Sequence, residues 1–168
     1  MVYSRVYLDS CILIAAFGND TAEPVAEPLL EMIGSVGPAD TPPFVTSELT
    51  LAESLVRAVR EKDQDRLRSL ENILTSNAWL DVVPISREIL WGAAALRAWY
   101  AHLKLPDAIH IASAIASDCP HFLTDDQGIR GLYEVQSMRP GHPLVPRQTE
   151  TIRPDRTTLE ALVTWLRT

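Results

Sequence analysis

The stretch Val6-Tyr7-Leu8-Asp9 is a short apolar run of β-branched and aromatic residues that ends on a carboxylate. Such a run predicts a buried β-strand. Much later in the chain, Phe122-Leu123-Thr124 repeats the arrangement and ends on Asp125 and Asp126. In a parallel sheet the functional crevice lies beyond the carboxyl ends of the strands. The two acidic strand ends are therefore predicted to converge at one edge.

Two further acids interrupt apolar segments. Glu53 lies within the apolar stretch 49–56, and Asp107 stands between Pro106 and the apolar stretch 108–112. Partly buried carboxylates repel one another and either take up protons or bind a cation, because an unpaired buried charge costs several kcal/mol. Oxygen-only ligands favour Mg²⁺ or Mn²⁺. The candidate metal ligands are Asp9, Glu53, Asp107, Asp125 and Asp126.

Most of these positions have an ordinary structural explanation as well. Asp9 is suited to cap the helix after its strand, and Asp107 is a common kind of helix-start residue that favours the helix dipole. Glu53 is harder to explain in this way, because it lies on a helix that otherwise faces the core. His110, one turn after Asp107, is either a side chain behind the metal ligands or a packed, hydrogen-bonded histidine.

Strand and helix patterns alternate along the chain. This alternation predicts an α/β fold with a central parallel sheet covered by helices on both faces. The predicted helices over residues 48–59 and 64–74 form a hairpin arm. The predicted strands cover residues 3–8, 44–46, 79–85 and 121–124. The predicted helices cover residues 10–17, 21–33, 48–59, 64–74, 86–103 and 107–116, the first of which is either a buried turn or a helix.

The C-terminal part of the chain has a different pattern. We predict an α/β domain over residues 1–138 and a Pro-rich extension with a helix over residues 139–168, packed on the same domain. The pattern Thr157-x-x-Glu160 predicts a capping box at the start of that helix. Its apolar stripe either packs back on the domain or forms a partner or dimer surface.

Composition limits the class of protein. The chain has 168 residues, 46% of them hydrophobic, which suits one globular domain. Its two cysteines, Cys11 and Cys119, follow no metal or disulfide spacing, and no stretch approaches the ~20 apolar residues of a membrane span. We therefore expect a cytoplasmic protein without membrane association. A net charge of −7 argues against nucleic-acid binding through bulk positive potential, but bound divalent cations would reverse the field at the acidic site.

Four blocks together resemble a known family. They cover residues 7–10, 46–53, 105–114 and 122–126. In order and spacing they are similar to the PIN-domain ribonucleases, especially the VapC-type toxins of prokaryotic toxin–antitoxin pairs, over roughly residues 3 to 133. The resemblance implies a PIN-like three-layer α/β/α fold with a helical hairpin arm, to which this chain adds a C-terminal extension.

The resemblance also implies roles for individual residues. Asp9, Glu53, Asp107 and Asp126 would be the catalytic, metal-binding acids, with the Ser10 hydroxyl near the metal and Thr124 supporting the strand end. Asp125 stands where Asn is common in the family, so either Asp125 or Asp126 carries the last role.

The activity implied is hydrolysis of RNA phosphodiester bonds with Mg²⁺ or Mn²⁺. A small basic antitoxin protein would reach into the acidic crevice and contact the hairpin arm, and toxin and antitoxin often assemble as dimers, so a homodimer is among the expectations. Two alternatives remain open. One is a stand-alone PIN nuclease that acts in RNA processing, and the other is a non-catalytic PIN fold used for interaction.

Overall fold

The structure is a computed structural model that describes residues 3–17, 26–37, 41–135 and 147–168. Strands and helices alternate along most of the chain. In order the elements are β1 (Val6–Leu8), α1 (Ser10–Phe17), α2 (Ala26–Gly34), β2 (Phe44–Ser47), α3 (Glu48–Glu61), α4 (Gln64–Ile73), β3 (Leu80–Val83), α5 (Arg87–Trp99), α6 (Leu105–Ala116), β4 (His121–Leu123), β5 (Leu132–Val135), β6 (Arg147–Ile152) and α7 (Arg156–Leu166).

The six strands form one sheet in the order β3-β2-β1-β4-β6-β5. All neighbouring pairs are parallel except β5 and β6, which run antiparallel. Val6 of β1 pairs with Phe44 on one side and with His121 on the other, so β1 is central. The carboxyl ends of β1 and β4 therefore meet at the same edge, where Asp9 N–H donates to the Leu123 carbonyl at 3.1 Å.

Side chains alternate between the two faces of the sheet, as the pleat requires. Tyr7 of β1 and Phe122 of β4 stack on one face with ring centroids 5.2 Å apart, in the core that includes α5 and α6. Leu8 and Leu123 point to the other face, in the core that includes α1, α2 and α7. Both faces are covered, which confirms the predicted three-layer α/β/α fold.

Helices α3 and α4 form the predicted hairpin arm. Helix α3 ends at Lys62, which has φ 58° in the left-handed region, and its N–H bonds back to the last turn. Asp63 then caps α4 by accepting from Arg66 N–H at 3.0 Å. A left-handed residue followed directly by an N-cap reverses the chain within two residues. The arm therefore has a tight turn at its tip.

Strands β5 and β6 have no counterpart in the sequence prediction. Strand β6 has the sequence Arg147-Gln148-Thr149-Glu150-Thr151-Ile152, which lacks the apolar run that predicted the other strands. It nevertheless lies between β4 and β5, with Leu123 opposite Ile152. Residues 139–146, where the predicted domain boundary falls, lie outside the described residues, and so do the first residues of the predicted helix 21–33.

Helix α7 packs back on the domain, but its predicted capping box is wrong. The N-cap is Asp155, whose carboxylate accepts from the N–H and the hydroxyl of Thr158 at 3.0 and 3.2 Å. Asp is a better N-cap than Thr, so the earlier residue starts the helix. Glu160 pairs with Arg156 at 2.7 Å instead of reaching back to the cap. The Trp165 ring contacts Tyr3 at a centroid distance of 5.6 Å.

Helix α6 begins at Leu105, two residues before the prediction. Pro106 is therefore in the first turn, where its missing N–H costs no hydrogen bond. Asp107 becomes the third residue of the helix and not its first.

Among the described helices, none combines the length and the apolar character that crossing a bilayer would need.

We predict that Leu162→Ala lowers the free energy of unfolding by about 2 to 5 kcal/mol, because it empties a fully buried position in the core that α7 shares with α1 and α2. Urea denaturation followed by circular dichroism measures the loss. The control is Leu90→Ala, at a 48% exposed position, with an expected change within about 0.5 kcal/mol. Equal stabilities for the two variants would show that α7 does not pack on the domain in solution.

Candidate active site

Asp9 is the most buried of the candidate acids, with 5% of its surface exposed. It follows β1 directly, and the next residue begins α1, so the chain turns at the carboxylate. Its Oδ2 accepts from the Thr124 hydroxyl at 2.5 Å, and its Oδ1 accepts from the Ser10 N–H at 2.8 Å. Two donors from two different elements therefore hold the orientation of this carboxylate.

Thr124 connects the two acidic strand ends. Its Oγ1 donates to Asp9 and accepts from the Asp126 N–H at 3.0 Å. The Asp126 carboxylate turns into its own loop, where Oδ1 accepts from the Gly128 N–H at 2.7 Å. A side chain at Gly128 would bring its Cβ to 3.0 Å from that oxygen, which is close enough to force a shift. The structure therefore brings Asp9, Thr124 and the backbone of Asp126 together.

Glu53 reaches the same region from α3 and bonds to His110. The distance from His110 Nε2 to Glu53 Oε2 is 3.0 Å, and the distance from Nε2 to Asp9 Oδ1 is 4.0 Å. The hydrogen bond from His110 lowers the pKa of Glu53; partial burial opposes this effect, and a hydrogen bond from Ser10 adds to it. Glu53 is therefore held as a carboxylate beside Asp9.

Tyr7 determines which nitrogen of His110 carries the proton. The Tyr7 hydroxyl lies 2.9 Å from His110 Nδ1, and burial raises the pKa of Tyr7, which keeps this hydroxyl protonated. A protonated hydroxyl donates to Nδ1, so Nε2 carries the hydrogen and donates to Glu53. The result is a directed chain of hydrogen bonds from the sheet core to an acidic side chain. His110 is thus the packed, hydrogen-bonded histidine of one sequence interpretation, and a role behind metal ligands stays a prediction.

Asp107 and Asp125 are placed differently. Asp107 Oδ2 accepts from the Lys104 N–H at 3.0 Å and closes the first turn of α6. This position in the first turn agrees with the alternative given in the sequence analysis, an ordinary helix-start residue. Asp125 is exposed, and its N–H donates to the Cys11 thiol at 3.4 Å. Neither carboxylate has a hydrogen bond to another of the candidate acids among the described residues.

The geometry is not that of a closed metal centre. Among residues 3–17, 26–37, 41–135 and 147–168, no three His, Cys, Asp or Glu side chains stand close enough to hold one ion. The reason is visible in their partners: Glu53 bonds to His110, Asp107 to its own helix and Asp126 to its own loop. Of the proposed ligands, only Asp9 is both buried and fixed by hydrogen bonds from other elements.

Cys11 is a member of the site that the acidic pattern did not reveal. Its sulfur lies 3.5 Å from Asp9 Oδ2 and 3.5 Å from Thr124 Oγ1. Burial, together with the negative charge of Asp9, raises the pKa of this thiol to about 11. The sulfur is therefore a neutral thiol near pH 7, and the charged donors of the site are all oxygens.

The structure thus defines an α/β/α protein that holds a buried carboxylate, Asp9, beyond the end of a central parallel strand. The comparison with known families is more specific. The PIN domain family matches residues 6–135, which is most of the chain, and the protein belongs to this family. No protein with a curated functional description matches the sequence significantly.

Three solved structures share the fold. VapC20 of Mycobacterium tuberculosis, a toxin that cleaves the sarcin-ricin loop, is 16% identical with a TM-score of 0.57, over 73% of this chain and 92% of that one. A toxin–antitoxin complex from Klebsiella pneumoniae is 24% identical with a TM-score of 0.51, over 73% and 93%. VapBC2 of Rickettsia felis, bound to a DNA fragment from its promoter, is 18% identical with a TM-score of 0.53, over 72% and 87%.

We predict that His110→Ala lowers the free energy of unfolding by about 1 to 3 kcal/mol, because it removes the buried hydrogen bond between the Tyr7 hydroxyl and Nδ1. In His110→Asn the side-chain amide takes the place of Nδ1, so the loss is expected to be smaller. Urea denaturation at neutral pH measures both variants. If Asn and Ala cost the same, the contact between Tyr7 and His110 contributes nothing to stability.

Proposed function

We propose that this protein is a metal-dependent endoribonuclease that hydrolyses RNA phosphodiester bonds and acts as the toxin of a toxin–antitoxin pair. The observation that carries the proposal is the buried Asp9 carboxylate, fixed at the strand edge by Thr124 and flanked by Glu53. Membership in the PIN family and the similarity in fold to toxin structures support the same proposal.

The donor set fits Mg²⁺ or Mn²⁺ in its chemistry. Asp9 is a buried carboxylate with acidic neighbours, and its nearest sulfur is a neutral thiol, so hard oxygen ligands dominate. When bound, the cation supplies charge neutralisation at the phosphate and lowers the pKa of a coordinated water. The residues that would hold it are Asp9, Glu53, Asp107 and Asp126, with Asp125 as the alternative at the last position.

The remaining roles belong to the protein's own groups. Thr124 and the Ser10 N–H orient Asp9, which therefore needs no reorganisation to act as a ligand. The Ser10 side chain also bonds to Glu53 and lies beside the site. Glu53, ionised and held by His110, is placed to orient or deprotonate a water molecule that attacks the phosphate. To bind the cation, the Asp107 carboxylate would give up its hydrogen bond to the Lys104 N–H and turn into the site.

The first test is cleavage of a structured RNA by the purified chain. We expect endonucleolytic products with Mg²⁺ or Mn²⁺ and none with excess EDTA, because carboxylates alone repel the phosphate. Asp126→Asn is expected to lose activity on the order of 100-fold or more, the scale of removing one group that stabilises transition-state charge. Asp125→Asn is the matched control and is expected to keep much of the cleavage activity.

Each outcome of this test has a definite meaning. Cleavage that survives chelation would remove the metal mechanism. Equal losses in the two Asn variants would mean that both carboxylates take part. The reverse order would assign the last position to Asp125, which stands where Asn is common in the family.

The proposed partners are an RNA substrate and a small basic antitoxin. A chain with a net charge of −7 and acids concentrated at one crevice attracts Arg or Lys side chains, and complementary charge speeds association. The hairpin arm offers apolar surface for the rest of the contact, with Val56 and Val59 of α3 54% and 60% exposed. A cytoplasmic location and assembly as a homodimer belong to the same proposal.

We extend the proposal to the organisation of the chain. Residues 1–138 would form the nuclease domain, and residues 139–168 would be an extension packed on it. The partners of β6 and α7 support this view, since β6 pairs with β4 and the Leu159 and Leu162 side chains of α7 are buried.

Expression in a bacterial host tests the toxin role. We expect the chain alone to arrest growth, and co-expression of the open reading frame next to its gene to relieve the arrest. The control is a chain carrying Asp9→Asn, which should be harmless without that partner. If expression is harmless while cleavage in vitro is intact, the toxin assignment fails, and a stand-alone nuclease of RNA processing takes its place.

A further inference from the structure

Arg153 follows β6, in a part of the chain that the PIN family match, which ends at residue 135, does not include. Its guanidinium reaches back to the loop after β4. Nη1 donates to the Thr124 carbonyl at 2.9 Å and to the Asp126 carbonyl at 2.8 Å, and Nη2 donates to the Ile129 carbonyl at 2.5 Å. One side chain thus joins three carbonyls of the loop that contains the candidate acids.

The loop closes around this guanidinium. The Ile129 N–H donates to the Asp126 carbonyl at 3.0 Å, and the Gly128 N–H donates to the Asp126 carboxylate at 2.7 Å. Carbonyls that converge on one point repel one another unless a donor stands between them, and a charged donor forms roughly twice as strong a bond as a neutral one. Arg153 supplies that charge, so the loop conformation depends on it.

The position of Arg153 is itself fixed by the sheet. Leu123 pairs with Ile152, and the Thr124 N–H donates to the Ile152 carbonyl at 3.2 Å. Pro154, on the other side, is buried. The backbone of β6 therefore holds the end of β4 while the next side chain holds the loop that follows it.

We propose that Arg153 is a positioning residue of the active site, and that the segment beyond the family match completes the site through it. Arg153 fixes Thr124, which orients Asp9, and it fixes the backbone of Asp126. All the hydrogen bonds of its guanidinium to described residues end on main-chain carbonyls, so its role is to shape the loop and not to contact RNA. The effect on activity rests on the proposed function, whereas the effect on the loop does not.

Hydrogen exchange measured by mass spectrometry tests the loop directly. In Arg153→Ala we expect amides of residues 124–130 to exchange at least about 10-fold faster, while the peptides of β1 and β2 keep their rates. Arg153→Lys retains the charge without the planar fork and should fall between Ala and the native chain. The control is Arg156→Ala, an exposed arginine of the same segment whose partner is Glu160.

Two results of the exchange experiment would overturn the proposal. One is an unchanged rate in residues 124–130 of Arg153→Ala. The other is faster exchange of the whole sheet with no excess in that loop, which would make Arg153 a general stability residue. If the Ala variant does not fold, Arg153→Lys is compared with Arg156→Ala. Faster exchange of residues 124–130 in Arg153→Lys supports the proposal, and equal exchange in the two variants overturns it.

Metal binding and cleavage give the functional test. Calorimetric titration with MnCl₂ should show about 10- to 100-fold weaker binding in Arg153→Ala, the usual effect of removing a group that orients a metal ligand. In the same variant, the kcat of RNA cleavage should fall by a similar factor, and KM should change little. Native affinity and kcat in a variant with a loosened loop would overturn the positioning role. If the native chain neither binds Mn²⁺ nor cleaves RNA, the proposed function fails while the exchange result still stands.

Discussion

The hydrogen bond from the Thr124 hydroxyl to Asp9 is the contact on which the site depends. A carboxylate with 5% exposure is costly to bury unless its oxygens have donors, and Thr124 supplies one from the neighbouring strand end. The same hydroxyl accepts from the Asp126 N–H. The parallel pairing of β1 and β4 brings these groups within hydrogen-bonding distance. The geometry of the site therefore depends on the order of the strands in the sheet.

Behind this contact, the core of the sheet extends into the site through Tyr7 and His110. Tyr7 stacks on Phe122 and also directs the histidine proton toward Glu53. A buried tyrosine in a strand is ordinarily a packing residue. Here its hydroxyl also connects a buried strand, through His110, to the acidic side chain of Glu53.

The fold was largely predictable from the sequence, because the strands β1, β2 and β4 are short apolar runs and the helices carry clear stripes and caps. The acids at the ends of β1 and β4 could also be found, since chain direction alone places them at one edge. Their roles could not be ranked: only coordinates show that Asp107 closes its own helix turn while Asp9 is held by donors from two elements. Arg153 had no sequence signal, because an arginine in a polar segment gives no sign of which carbonyls it will meet.

The insertion of β6 between β4 and β5 has a consequence for the newly made protein on the ribosome. The two strands on either side of β6 are completed by residue 135, yet the strand that joins them ends at Ile152. Contacts between residues far apart in sequence form late, because the intervening chain must be closed into a loop first. During synthesis, the acidic edge of the nascent chain therefore stays unfinished until the residues up to Ile152 have left the exit tunnel. The order of the strands thus delays the completion of this edge beyond residue 135, where the part of the chain that matches the PIN family ends.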